Sequence, residues 1–312
     1  MKAAAVHFET VFADVNKNLT NAERLVREAA ENQAEIVILP EFFTTGFALS
    51  KTLLGAVAKS TDPSAYLKRW AADYRIIVGG SYILFDGTDA RNTFCLVFPD
   101  GRTFCHSKDI PTVLENFCYT YGDKNNVLET PIGNIGVAMC WENMRYDTVR
   151  RMQGKVDLIV GGSCWWELCE SDGAQAAQLR DFSAEQAVIA PVHVAELLGV
   201  PFIHASHHAQ FEYSLLLDEK RAETRRIMGA TQIIDGDGKV LARRMYHEDQ
   251  KIIYAQIDTS RRSTARIDTD EYWIPKLSPE FTEYWNRTSA MFDAYYQKIS
   301  VPYYRSHFQK QS

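Results

Sequence analysis

The sequence lacks the features that mark several large classes of protein. Its six cysteines include no CxxC pair, which leaves out a zinc ribbon and a thioredoxin-like redox motif. It has no apolar run that approaches the length of a membrane span, and its first residues contain no signal-like apolar stretch. It also has no basic cluster: 34 Lys and Arg residues face 40 Asp and Glu residues, for a net charge of -6. Neither a membrane nor a nucleic acid is therefore expected as a partner.

Cofactor and metal signatures are missing as well. The chain contains no G-x-G-x-x-G, P-loop or G-x-S-x-G motif, and we predict no cofactor. His204, His207 and His208 lie close together, but no carboxylate stands at ligand spacing beside them. We interpret them as structural or pocket-edge histidines and predict no metal site. Six cysteines in a chain this long do not form a disulfide framework, so a reduced protein in the cytoplasm is expected.

What the sequence does contain is enough apolar residue for a large core. Hydrophobic residues make up 46% of the 312 positions, and apolar strand patterns alternate with amphipathic helix patterns. This order predicts an α/β fold. No repeat or linker divides the chain, so we predict one domain over residues 1–258. Residues 259–312 form a C-terminal extension, expected to be helical and to lie at an oligomer interface.

Cys140 follows an apolar run, Ile135 to Met139, which is bounded by glycine and predicts a buried strand. A polar, helical pattern begins directly after it. The thiol should therefore lie on a sharp turn, where backbone N–H groups and a helix N-terminus favour the thiolate of a nucleophile. The alternative is a small buried apolar residue. Cys164 also follows an apolar run and is the one rival nucleophile.

Two further polar side chains follow predicted strands. Glu41 comes after the run Glu35 to Leu39, and Lys108 after the run Arg102 to Ser107. Ligands of α/β sheets bind outside the carboxyl ends of strands, where these groups would meet Cys140. There Glu41 would act as the general base, and Lys108 with a backbone N–H would stabilise an oxyanion. The alternatives are a helix cap or loop acid for Glu41 and a surface charge for Lys108.

Three segments in order carry a family resemblance: ILPEFFTTGF around Glu41, HSKDIPTVLE around Lys108 and GVAMCWEN around Cys140. The chain resembles the nitrilase superfamily of carbon–nitrogen hydrolases from about residue 2 to residue 257. The resemblance implies an α-β-β-α sandwich and a Glu-Lys-Cys catalytic triad. It also implies that Glu115 positions substrate or assists the acid–base chemistry. The alternative for Glu115 is a surface loop acid.

The motifs point to two substrate classes. Cys140-Trp-Glu-Asn and the Pro-Thr-x-x-Glu after Lys108 resemble nitrilases, whereas the segment around Glu41 and Arg145-Tyr146 resemble amidases and carbamoylases. We predict hydrolysis of a small amide or carbamoyl compound through a Cys140 thioester, releasing ammonia or an amine. A nitrilase is the main alternative. An acyl transferase and a catalytically silent binding protein on the same fold are the others.

Aromatic residues near the motifs are candidates for the substrate pocket. They are Trp141, Phe47, Trp165, Trp166 and Tyr119. Such a set suits a small, partly apolar substrate. The adjacent Trp165 and Trp166 would equally suit an interface anchor. Relatives commonly assemble, so a homo-oligomer, dimeric or larger, is expected.

Overall fold

The computed structural model describes residues 1–60, 62–169 and 179–307. Within these ranges the strands are β1 Lys2–Glu9, β2 Ile36–Ile38, β3 Ile77–Phe85, β4 Ala90–Val97, β5 Thr103–Ser107, β6 Val127–Thr130, β7 Gly133–Val137, β8 Leu158–Gly162, β9 Trp165–Trp166, β10 Phe202–His208, β11 Gln210–Ser214, β12 Ala222–Met228, β13 Ala230–Ile234, β14 Val240–Met245 and β15 Lys251–Gln256. The helices are α1 Val15–Glu31, α2 Lys51–Lys59, α3 Ser64–Tyr74, α4 Tyr146–Met152, α5 Arg180–Leu198, α6 Pro279–Tyr295 and α7 Val301–His307.

Helix α1 shows how local sequence builds these elements. Its buried residues recur at helical spacing, with Leu19, Ala22, Leu25 and Ala29 on one face. The Asp14 carboxylate accepts a hydrogen bond from the Lys17 backbone N–H at 3.1 Å and caps the first turn. The apolar face of α1 therefore packs against the sheet.

Twelve of the described strands form two halves of one extended sheet, and β11, β12 and β9 form a separate three-stranded sheet. The first half has the order β5-β4-β3-β2-β1-β15, and the second has the order β6-β7-β8-β10-β13-β14. Strands β1 and β10 run parallel and join the halves, with His7 opposite Ser206 and Phe8 opposite His207. Strands β2, β5, β7, β8 and β10 all run in the direction of β1, so their carboxyl ends share one edge.

The two halves face each other across an apolar core. Ile38 and Leu96 of the first half pack in one cluster with Val137 and Val160 of the second. Helices α1 and α3 cover the outer face of the first half, and α4 and α5 cover the outer face of the second. The predicted α-β-β-α sandwich is confirmed.

The C-terminal segment packs over the loop that follows β5. The Ser289 hydroxyl donates to the Val113 carbonyl at 3.0 Å, and the Tyr304 hydroxyl donates to the Cys118 carbonyl at 2.8 Å. The Ser300 hydroxyl donates a third hydrogen bond, to the Phe117 carbonyl, at 2.5 Å. The division at residue 258 and a place at an oligomer interface stay predictions.

Helices α2 and α5 differ in how far the sequence patterns predict them. No pattern was identified for residues 51–59, which form helix α2, and the Ser50 hydroxyl caps its first turn. The sequence predicts a long helical region from Asp172 to Leu198. Helix α5 begins at Arg180 in the described residues, and residues 170–178 lie outside them. None of the helices described is long and apolar enough to cross a membrane.

The expectation of fully reduced cysteines is wrong for one pair. Cys95 and Cys105 are disulfide-bonded, with their Cα atoms 4.3 Å apart. They occupy facing positions of the antiparallel strands β4 and β5. Facing residues of such strands come this close when they form a non-hydrogen-bonded pair. The spacing of two cysteines in sequence does not show this register.

Candidate active site

The three residues identified from the motifs lie near the edge of the sheet at which the parallel strands end. Glu41 follows the end of β2, Lys108 directly follows β5, and Cys140 follows β7. Each of them is buried, with at most 1% of its surface exposed. A charged group at such depth requires a partner, so the contacts of each decide what it can do.

Cys140 lies on the sharp turn that was predicted. Its φ of +47° is in the left-handed region, and a 3-10 turn from Cys140 to Met144 begins there. The backbone approaches closely at this point: a Cβ on Gly161 would lie 2.0 Å from the Ala138 carbonyl oxygen. Non-glycine residues in this conformation cluster at functional sites.

The expectation that the Cys140 thiolate is favoured at rest is wrong. Burial, and next the charge of Glu41, raise the pKa of Cys140 well above its usual value, although Lys108 lowers it. The reason is that a fully buried thiol loses its hydration, and nearby carboxylates oppose a second negative charge. The resting group is therefore a neutral thiol, which needs a base before it can attack.

Lys108 lies between two carboxylates. Its ammonium nitrogen is 2.9 Å from Oε1 of Glu41 and 2.9 Å from Oε2 of Glu115, and all three side chains are fully buried. Burial works against the charge, but the two carboxylates outweigh it and raise the pKa of Lys108. Lys108 is therefore a fixed cation of the site, not a surface charge.

Glu41 is held by donors from three directions. Besides Lys108, the Asn92 amide donates to its Oε1 at 2.9 Å, and the Cys164 backbone N–H donates to its Oε2 at 3.0 Å. His207 donates from Nε2 to the Glu41 carbonyl at 2.7 Å. Burial outweighs the attraction of Lys108 and raises the pKa of Glu41. A carboxylate with a raised pKa is a stronger base for a thiol.

Glu115 is buried within the site and is not a surface acid. Its Oε2 accepts from the Thr112 backbone N–H at 2.7 Å and from the Tyr119 hydroxyl, in addition to Lys108. Its Oε1 is buried and has no hydrogen-bond partner among the described residues. Buried carboxylate oxygens seldom remain unpaired, so Oε1 lacks the hydrogen bond that such an atom normally makes.

A second buried network links the lysine strand to the cysteine turn. Glu142 accepts from Nε2 of His106 at 2.9 Å, from the Asp109 backbone N–H at 3.1 Å and from the Met139 backbone N–H at 2.9 Å. Arg145 forms an ion pair with Asp109 at 2.7 Å. The network ties the residues beside Lys108 to the residues beside Cys140.

This network was missed from the sequence, and so was Asn92. Each of these side chains lies within an apolar strand or a motif. The one sequence signal for such a residue is a polar side chain at a position that faces the core. Burial opposes the charge of His106, but Glu142 and Asp123 outweigh it and raise the pKa of His106 to about 10. The pKa of Glu142 is lowered, chiefly by His106, against the effect of burial.

A small cavity, with about 20 Å³ of space for water, lies beside Cys140. Three of the predicted pocket residues line it, Trp141, Trp165 and Trp166. Phe47 and Tyr119 stand outside it: Phe47 stacks on Trp166 with ring centroids 5.2 Å apart, and Tyr119 is buried beside Glu115. The remaining described lining residues are Thr112, Val113, Leu114, Leu168, Ser183, Phe281 and Tyr284.

The clustered histidines make hydrogen bonds inside the protein. His204 contacts the Ser163 hydroxyl at 2.8 Å and the Ala230 carbonyl at 3.0 Å, and His207 accepts from the Thr10 hydroxyl at 2.5 Å. Burial lowers the pKa of His204 to about 4 and that of His207 to about 3. Across the described ranges, no three His, Cys, Asp or Glu side chains are grouped as metal ligands would be.

Comparison with known proteins gives one family. A model described as carbon–nitrogen hydrolase matches residues 2–267. A bifunctional nitrilase/nitrile hydratase of Lupinus angustifolius is 32% identical over 165 residues, which cover 46% of this chain and 47% of that protein. The chain thus spans about half the length of this plant relative.

Solved structures show the same fold. A carbon–nitrogen hydrolase from Helicobacter pylori superposes with a TM-score of 0.68 at 15% identity, covering 99% of this chain and 98% of that one. An amidase from Nesterenkonia sp. AN1, solved with acrylamide attached to its active-site cysteine, superposes with a TM-score of 0.63 at 16% identity. That match covers 83% of this chain and 93% of the amidase.

Proposed function

Because this chain belongs to the carbon–nitrogen hydrolase family, we propose that it cleaves a small amide or carbamoyl compound through a Cys140 thioester. The observation that carries the proposal is the buried cation Lys108 between Glu41 and Glu115, at the strand edge that also presents Cys140. A neutral thiol, a carboxylate base and a fixed cation are the parts that acyl transfer to sulfur requires.

The reaction begins with proton transfer from the Cys140 thiol to Glu41. The sulfur attacks the amide carbon, and the oxygen that becomes negative is stabilised by the Lys108 ammonium and the Trp141 backbone N–H. The tetrahedral intermediate expels ammonia or an amine, which takes up the proton from Glu41. The unpaired Oε1 of Glu115 accepts a hydrogen bond from the leaving nitrogen.

The second half of the reaction releases the acid. Glu41 takes a proton from water, the resulting hydroxide attacks the thioester carbon, and the proton returns to the Cys140 sulfur as it leaves. The sum is amide plus water giving a carboxylic acid and ammonia or an amine. An amine that replaced water would make the same enzyme an acyl transferase.

A nitrilase reaction is the second candidate, favoured by the plant relative that is named as a nitrilase and nitrile hydratase. Here the Cys140 sulfur adds to the nitrile carbon and gives a thioimidate. Water adds to that carbon, ammonia leaves, and the same thioester is then hydrolysed. Both reactions therefore use Cys140, Glu41 and Lys108 in the same roles.

Ammonia release from matched substrates tests the proposal. An amide, a nitrile and an N-carbamoyl compound with the same apolar group should include at least one substrate, and Cys140→Ala should abolish its turnover. Cys164→Ala is the matched control, because Cys164 holds Glu41 through its backbone N–H and not its sulfur. Activity retained in folded Cys140→Ala, or lost in Cys164→Ala alone, contradicts the proposed nucleophile.

A further inference from the structure

The Thr112 hydroxyl is a buried polar group that makes no hydrogen bond to the described residues. Thr112 has 1% of its surface exposed, and its hydroxyl oxygen has no partner in the described part of the chain. A buried hydroxyl without a partner costs free energy of folding, so folded proteins rarely contain one. Thr112 also lines the small cavity beside Cys140. Of the described lining residues, Thr112 is the one with an unpaired buried side-chain atom.

The turn around Glu115 shows that the backbone does not use this hydroxyl. Thr112 and Glu115 have the spacing of a capping box, in which the Thr hydroxyl and the Glu carboxylate each accept from the other residue's backbone N–H. The Glu115 carboxylate does accept from the Thr112 N–H, at 2.7 Å. The Glu115 N–H, however, donates to the Thr112 carbonyl oxygen at 2.9 Å. The backbone of Thr112 is therefore fixed against Glu115, and its hydroxyl takes no part in the cap.

The cavity that Thr112 lines fits a molecule of the size of water or ammonia. It has about 20 Å³ of space for water, and roughly 10–15 Å³ of such space is enough for one water molecule. A buried water also needs about two to four polar partners. The Thr112 hydroxyl supplies one. The Ser183 hydroxyl, which accepts from the Trp165 indole N–H at 2.9 Å, can supply another by donating its own hydrogen.

We propose that Thr112 is a further catalytic residue, whose hydroxyl oxygen holds the nitrogen that leaves and then the water that replaces it. This inference rests on the proposed function and deepens it, because that reaction moves ammonia and water at Cys140 in turn. The Glu115 turn brings Thr112 to the side of the site where the leaving nitrogen is held.

The hydroxyl acts on hydrogens that are not transferred. In the tetrahedral intermediate, Thr112 accepts a hydrogen bond from one N–H of the departing group and Glu115 accepts from the other. Glu41 gives the nitrogen its additional proton, and the C–N bond breaks. In the second half, Glu41 takes one proton of the water, and Thr112 accepts a hydrogen bond from the other O–H. The water oxygen then attacks the thioester carbon, and the proton returns to the Cys140 sulfur.

Variants of matched shape separate the Thr112 hydroxyl from the packing around it. Thr112→Val keeps the branched shape and removes the hydroxyl, so kcat should fall about tenfold, as expected for one lost hydrogen bond, with KM nearly unchanged. The melting temperature should stay equal or rise, because an unpaired buried hydroxyl is replaced by an apolar group of the same shape. Thr112→Ser keeps the hydroxyl and should retain most of the wild-type kcat.

Thr45→Val is the matched control. The Thr45 hydroxyl is also buried and unpaired among the described residues, with 1% of the residue's surface exposed. Thr45 is not one of the described residues that line the cavity. Its valine variant should therefore behave like Thr112→Val in melting temperature and keep the wild-type kcat. Equal kcat in wild type and folded Thr112→Val, or equal losses in the two valine variants, would overturn the inference.

The lifetime of an acyl group on Cys140 tests the position of the water without any leaving nitrogen. p-Nitrophenyl acetate acetylates the thiol, and mass spectrometry of acid-quenched protein and of its peptides follows loss of the acetyl group. The group should persist about tenfold longer in Thr112→Val than in wild type or Thr45→Val. Equal lifetimes would overturn the inference and keep the thioester. Absence of acetyl from Cys140 would overturn the proposed reaction, and the inference with it.

Discussion

Lys108 is a buried cation that serves two carboxylates at once. Its ammonium lies 2.9 Å from both Glu41 and Glu115, so its removal leaves two like charges close together without hydration. We expect Lys108→Ala to slow turnover by about a hundredfold or more, since it removes the proposed oxyanion donor. Steady-state rates and melting temperature measure the two effects.

Lys108→Met serves as the control for shape, because it keeps an unbranched apolar stem and removes the charge. It should lose activity as fully as Lys108→Ala does. A slowing of less than about tenfold in both folded variants would mean that the oxyanion is stabilised elsewhere.

Glu115 combines three accepted hydrogen bonds with one unpaired oxygen. Glu115→Gln keeps the shape but removes the charge, and we expect amide hydrolysis to fall by about a hundredfold. Acylation of Cys140 by an activated ester should survive, because a good leaving group needs little help from an acid. Burst release from that ester and steady-state amide hydrolysis measure the difference.

Glu129→Gln, on an exposed position of β6, is the matched control and should behave as wild type. Amide hydrolysis unchanged in Glu115→Gln would leave Glu115 with a structural role alone.

The sequence was sufficient to nominate Glu41, Lys108 and Cys140, because each follows a recognisable apolar strand within a motif. It was not sufficient to find Asn92, which reaches Glu41 from a strand 51 positions away. Nor did it give the protonation state of Cys140, because that depends on burial and on charges that only the folded chain brings near. Sequence spacing carries neither kind of information.

At the scale of elements, the His106–Glu142 pair joins strand β5 to the turn that carries Cys140. The folded-state pKa of His106 is about 10, against 6.5 unfolded, so unfolding releases its proton between those values. The stability from this charge is complete below pH 6.5 and is lost as pH rises through about 10. Glu142 acts oppositely: its lowered pKa gives stability above pH 4.5 that is lost as pH falls.

We therefore expect the free energy of unfolding to decline from pH 6.5 towards pH 10, and His106→Gln to flatten that decline. Denaturant titrations at pH 6, 8 and 10 measure the slope. His193→Gln, on the exposed side of α5, is the matched control and should keep the wild-type slope. An unchanged slope in His106→Gln would show that His106 is uncharged in the fold.

Periodicity predicted the long elements well, because an amphipathic helix such as α1 repeats its apolar residues over several turns. Periodicity did not predict α2, whose nine residues follow an aromatic loop and include a glycine. It also failed for β9, two residues whose extended form depends on pairing with β12. Short elements take their structure from neighbours that are distant in sequence.

For the whole molecule, the family resemblance predicted the α-β-β-α sandwich, whereas the alternating strand and helix patterns alone predicted only an α/β fold. The covering of the Glu115 loop by helices α6 and α7 came from neither. That contact joins residues more than 170 positions apart, and its donors are single serine and tyrosine hydroxyls without a motif. The expected homo-oligomer stays a prediction.

The proposed reaction passes through a covalent intermediate on Cys140. Intact-protein mass spectrometry of samples quenched in acid during turnover should show a gain equal to the acyl group. Peptide mapping should place that gain on Cys140, and Cys140→Ala should show none. An acyl group on Cys164 instead, or turnover with no covalent gain under single-turnover conditions, would contradict a Cys140 thioester.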